Sequence, residues 1–130
     1  MIHVVAIPVA YRWLITFAFI ALIIVFSITP GRDQAGDSVF VWLVVNATAP
    51  IQKLMHFVCY AAVAVLWAWT LEAVEPRLLR LLLALALTVG LGATLEWYQT
   101  QVPGRFGTLA DAILNAVGAV VGVIIAILVL

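Results

Sequence analysis

Four apolar runs divide this chain, at about Tyr11 to Thr29, Ile51 to Leu71, Arg77 to Thr100 and Thr108 to Leu130. Each is about as long as a bilayer is thick when wound as a helix, roughly 20 residues. Lipid offers no water to backbone N–H and C=O groups, so a spanning segment must satisfy them as a helix or within a closed barrel. None of the runs alternates polar and apolar residues, which removes the barrel. The expected fold class is therefore all-α: a polytopic membrane protein, one domain over residues 1–130, built as a four-transmembrane-helix bundle. The rest of the chain agrees, being 67% hydrophobic and 9% charged with a mean hydropathy of +1.26. Ser27-Ile28-Thr29-Pro30-Gly31 makes a poor small-x-small cleavage site, so the first run reads as a retained span rather than a signal peptide.

The connections carry most of the charge. Arg32, Asp33 and Asp37 open the longest one, which also contains seven apolar residues, Val39 to Val45. Seven are too few to cross a bilayer, so a short interfacial segment is expected there, after the first span. Glu72, Glu75, Pro76, Arg77 and Arg80 form a polar hairpin in which proline is suited to open the third helix. Pro103-Gly104-Arg105 reads as a tight turn before the fourth. Gly90 and Gly92 permit close helix contact or bending in the third span.

Against this background the stretch Leu95 to Val117 is anomalous, gathering Glu96, Gln99, Arg105, Thr108, Asp111 and Asn115. Helical spacing puts Glu96 and Gln99 on one face, and places Asp111, Asn115, Gly118 and Gly122 on a single stripe of the next helix. In the second span, Lys53, His56 and Tyr60 share a stripe too. With four spans, the start of the second helix, the end of the third and the start of the fourth lie at the same bilayer face. Lys53, His56, Glu96, Gln99, Arg105, Asp111 and Asn115 are thereby brought to one side.

An ionised group in a membrane helix costs on the order of 2.5–3.5 kcal/mol, so such a cluster needs a reason. One reading is structural: Lys53 and Arg105 offset Glu96 and Asp111, Thr108 and Asp111 cap a helix start, and Asn115 acts as interhelical glue. The other is functional. Histidine changes charge near neutral pH, and a carboxylate partner would fix the tautomer of His56. Arg105 offers a planar fork for phosphate or carboxylate, and Lys53 a second cationic contact, with Gln99 and Tyr60 alongside. In this reading Lys53, Arg105, Gln99 and Tyr60 bind an anionic head, while His56 and Glu96 are the acid–base candidates of a possible enzyme. Whether there is catalysis is left open by the residues.

Several classes of function have no footing. Net charge is zero with no basic run, so no nucleic-acid partner is expected. His56 without cysteine partners lacks zinc-motif spacing, so no metal and no cofactor is expected. Ser27 and Ser38 sit in no nucleophile elbow, and Cys59, the single cysteine, has no internal disulfide partner. The expected partners are membrane lipids and the anionic end of a lipid-linked envelope intermediate, with Gly118 and Gly122 offering a face for oligomerisation. Setting aside the site cations Lys53 and Arg105, Arg12, Arg77 and Arg80 outnumber Arg32, favouring cytoplasmic termini and a site at the outer face.

The ordered set Lys53-x-x-His56-Phe57-x-x-Tyr60, Glu96-x-x-Gln99, Pro103-Gly104-Arg105 and Asp111-x-x-x-Asn115-x-x-Gly118-x-x-x-Gly122 resembles the VanZ-like family of bacterial membrane proteins. The resemblance covers the second to fourth spans. Gln52 stands where that family usually has aspartate, and Thr108 where serine is commoner. It implies a multi-pass protein of the bacterial plasma membrane acting at the cell envelope. The family's named member is linked to glycopeptide resistance, at a low level and toward the lipid-tailed drug teicoplanin, without an established biochemical activity.

Overall fold

A computed structural model describes residues 7–29, 49–102 and 107–130. It is an all-α, four-helix bundle: α1 (Val9–Ile28), α2 (Ala49–Thr70), α3 (Arg77–Gln99) and α4 (Leu109–Val129). Each helix has 20 to 23 residues, which at about 1.5 Å per residue spans a hydrocarbon layer. All four are long and apolar enough to cross a membrane. Their bounds fall within two residues of the four apolar runs, because the same breakers end both. Pro8 precedes α1, Pro76 sits at the N-cap of α3, and Thr108 at that of α4. The segment Val39 to Val45, the Pro30-Gly31 stop and the turn at Pro103-Gly104-Arg105 lie outside the described residues.

The bundle is built inside out relative to a water-soluble one. Its outer surface carries the large aliphatics, such as Leu14, Leu78, Leu109 and Leu128, while alanines 61, 64, 68, 84, 119 and 126 are buried. Small residues inside are what membrane packing demands, since lipid gives apolar side chains no incentive to leave it and close backbone approach supplies the contact energy.

The most extensive interface joins α2 and α4, two helices that run in the same direction. A Cβ on Gly118 would lie 2.6 Å from the Phe57 carbonyl oxygen, and one on Gly122 would lie 2.3 Å from that of Ala61. Two steps of four are therefore matched, Phe57 to Ala61 against Gly118 to Gly122, and the register of the pair is set by backbone meeting backbone. Within the chain this glycine stripe is filled by α2. The third helix differs from expectation in one respect. Gly92 does pack closely, against Tyr60 and Asn115, but Gly90 has nothing within 4 Å and faces outward.

Helix α1 lies against α2 and α3. Its buried residues, Arg12, Thr16, Ile23 and Ser27, form one stripe. Trp13 and Phe17 of α1 stack with ring centroids 5.6 Å apart, and each meets Trp67 of α2 edge-on at 5.9 Å. Deeper in the same contact the hydroxyls of Thr16 and Thr70 are 2.7 Å apart and fully enclosed. Pairing two hydroxyls satisfies both in a place where neither can reach water.

Candidate functional site

The register of α2 on α4 decides what meets at the end of the bundle. Asn115 lies one turn before Gly118, and His56 is the residue before Phe57. The contact between Gly118 and the Phe57 carbonyl consequently brings these two polar side chains face to face. His56 Nδ1 and Asn115 Oδ1 are 2.9 Å apart. The amide oxygen can only accept, so Nδ1 is the donor and Nε2 is left outside this bond. The ring also lies nearly parallel to that of Tyr60, 13° between planes with centroids 6.4 Å apart.

The partner of His56 is thus the amide of Asn115 rather than the carboxylate of Asp111 on the same stripe. The reason is depth. Asp111 and Asn115 share a stripe, but Asp111 sits in the first turn of α4 at the rim, whereas Asn115 is 1% exposed and level with the histidine. Asn115 is also incompletely satisfied: its Nδ2 is buried with no hydrogen-bond partner. It is enclosed by Gly92, whose missing Cβ would be 3.1 Å from the asparagine Cβ and 3.1 Å from the Tyr60 ring.

Glu96 belongs to the same end by way of α3. It is 5% exposed, and its Oε1 accepts a hydrogen bond of 2.9 Å from the backbone N–H of Thr108. Thr108 in turn accepts from the Asp111 N–H at 3.1 Å through its own hydroxyl, satisfying one of the free donors of the α4 start. Gly107 makes this possible, since a Cβ there would lie 2.2 Å from the Glu96 carbonyl oxygen. The end of α3 and the start of α4 are therefore stitched by one carboxylate and one glycine.

The remaining candidates occupy graded positions. Lys53 is exposed at the rim, His56 half-buried, and Tyr60 3% exposed, so the α2 stripe descends from the bilayer face toward the core. Gln99 is buried and donates from Nε2 to the Ser27 carbonyl at 3.3 Å, which ties α3 to the end of α1. Asp111 is half-buried, while Gly118 and Gly122 lie beneath the site as the α2 contact. Arg105 lies outside the described residues. Connectivity had placed these groups at one bilayer face, and the described helix ends stand in that arrangement: the starts of α2 and α4 with the ends of α1 and α3.

A second group of polar residues went unread in the sequence as a unit. At the other end of the bundle Arg12 pairs with Glu72, Thr16 with Thr70, and Arg80 is buried beside the α2–α3 hairpin. The polar hairpin from Glu72 to Arg80 and the four-residue step from Arg12 to Thr16 were its sequence signals, and a lone threonine in an apolar run barely alters hydropathy.

A family model described as VanZ/LLP1 matches residues 10–130 of the chain. No curated protein and no solved structure matches it.

Proposed function

The chain belongs to the VanZ/LLP1 family, and on that premise we propose that its polar end holds the anionic head of an amphipathic, lipid-linked component of the cell envelope. In this reading the protein sits in the bacterial plasma membrane with its termini in the cytoplasm and the site at the outer face. Lys53 and Arg105 draw the head in. His56 offers Nε2 from a half-buried ring, and the ligand's tail stays among the outward-facing aliphatics of the bundle. A lipoglycopeptide such as teicoplanin, anchored in the same leaflet, presents the same combination of polar head and lipid tail.

The observation that carries this reading is the Asn115 amide. It gives one atom to His56 at 2.9 Å and keeps the other, Nδ2, buried and unpartnered. An unsatisfied buried amide costs about 1–3 kcal/mol, and structural glue alone would be better served by a residue that completes its bonds. Binding is favoured over acid–base catalysis because His56 leans on an amide, which orients the ring without strengthening it as a base. A carboxylate would do both.

The test compares wild type with His56→Ala, Asn115→Ala and Arg105→Leu in a bacterial host, at matched levels of folded protein in the membrane. Teicoplanin susceptibility and the profile of lipids and envelope precursors are measured together. Binding predicts that wild type shifts susceptibility severalfold and all three variants lose the shift, with no new chemical species. A product that appears with wild type and vanishes with His56→Ala would instead establish the enzyme. Variants indistinguishable from wild type would leave the cluster a structural one.

A further inference from the structure

The cluster at the opposite rim contains more positive charge and more hydrogen-bond donors than the chain itself answers. Arg12 donates from Nε to the Ile7 carbonyl at 2.9 Å and from Nη1 to the Trp69 carbonyl at 3.3 Å, and it pairs with the Glu72 carboxylate. Its guanidinium also lies 5.1 Å from the centroid of the Trp69 ring. From the other side Arg80 donates from Nη1 to the Glu72 carbonyl at 3.0 Å. Two guanidinium groups thus converge on one hairpin residue, whose carboxylate is 63% exposed. The neighbouring charges, Glu75 and Arg77, are both exposed and of opposite sign, and Arg77 donates to the Ile127 carbonyl at 2.9 Å. They leave the excess at Arg12 and Arg80 unchanged.

Two donors here have no acceptor. Arg80 is 9% exposed and its Nε is buried without a partner. The indole Nε1 of Trp69, on the ring beneath Arg12, is in the same state. Packing explains neither. A phenylalanine would present a similar apolar face without the N–H, and a buried guanidinium edge left unpaired is costlier than a neutral one. The site lies where helix ends meet the lipid headgroups, and basic pockets between membrane helices suit anionic heads there. A guanidinium fork matches the oxygens of a phosphate.

We propose that this rim binds the phosphate oxyanion of an anionic lipid headgroup, entering between the start of α1 and the α2–α3 hairpin. The exposed Glu72 carboxylate, already on Arg12, holds the place of the incoming anion and swings outward as it arrives. Arg12 and Arg80 then supply the charge, and Trp69 Nε1 with Arg80 Nε the directed donors. The site is independent of the one at the other face and does not rest on its function.

The experiment uses purified full-length chain in detergent, titrated with phosphatidylglycerol, phosphatidylcholine or inorganic phosphate. Bound lipid is read by native mass spectrometry and stabilisation by thermal unfolding, for wild type, Arg80→Gln and Trp69→Phe. Wild type is expected to retain phosphatidylglycerol and to unfold at higher temperature with it. Retention is expected to fall severalfold in both variants, while Trp69→Phe without lipid is as stable as wild type. Inorganic phosphate reproducing the stabilisation, with the variants losing it, would assign the same oxyanion site to a soluble ligand. Should Arg80→Gln fail to fold, Trp69→Phe decides, since it removes the indole N–H and keeps an aromatic face under Arg12. Variants that retain as much phosphatidylglycerol as wild type, or a wild type that retains none and gains nothing from phosphate, overturn the proposal.

Discussion

Gly122→Leu is expected to unfold the purified protein at a markedly lower temperature than wild type. At this position even a methyl group would stand 2.3 Å from the Ala61 carbonyl oxygen and 2.8 Å from the Ala64 Cβ. The first obstacle is backbone, which cannot rotate aside, so α2 and α4 must separate. Overpacking a close interface costs about 1–3 kcal/mol, and a leucine against a carbonyl belongs at the upper end. The effect reaches the site as well, because the same register sets His56 opposite Asn115. Gly90→Leu supplies the comparison: with nothing within 4 Å of its Cβ position, it adds an aliphatic side chain to the lipid-facing surface and leaves stability near wild type. Thermal unfolding of the two variants in one detergent checks both halves. Equal stability of Gly122→Leu and Gly90→Leu would contradict the described packing.

Glu96→Ala is expected to damage stability and function together, and Glu96→Gln to separate them. The carboxylate accepts the Thr108 N–H at 2.9 Å from a position 5% exposed, which fastens the beginning of α4 to the end of α3. A hydrogen bond to a charged group contributes about 1.5–3 kcal/mol, and alanine removes it while opening a void. Glutamine keeps one acceptor oxygen in nearly the same place, and removes the charge together with the second acceptor. If the negative charge of Glu96 matters for holding or positioning a ligand, Glu96→Gln will fold like wild type and fail in the susceptibility assay. A Glu96→Gln protein that is fully active would restrict Glu96 to stitching the two helices. A Glu96→Ala protein as stable as wild type would remove it from both roles.

The spans were legible because hydropathy and the helix-start signals at Pro76 and Thr108 are one-dimensional. The gathering of Lys53, His56, Glu96 and Asn115 at one bilayer face was legible too, since the number of crossings fixes which helix ends are neighbours. Which partner each residue would take was not. For His56 the choice depends on the vertical offset of α2 against α4. That offset is set by Gly118 and Gly122 meeting the carbonyls of Phe57 and Ala61, a contact between segments some sixty residues apart in sequence. Gln99 bonds the Ser27 carbonyl, a partner on α1 that spacing within α3 does not name. The pairs Arg12–Glu72 and Thr16–Thr70 were missed for the same reason: one ties α1 to the hairpin after α2 and the other ties α1 to the end of α2, each between residues more than fifty apart in sequence.

The account turns on His56 and Asn115 meeting across the α2–α4 interface, and thiol cross-linking in native membranes reads that directly. In a Cys59→Ala background, His56→Cys with Asn115→Cys is treated with a short bifunctional thiol reagent, alongside His56→Cys paired with Ile125→Cys, two turns and more deeper on α4. The account predicts a rapid intramolecular cross-link in the first pair and none in the second. Cross-linking absent from the first pair, with both thiols shown to be reactive, would contradict it.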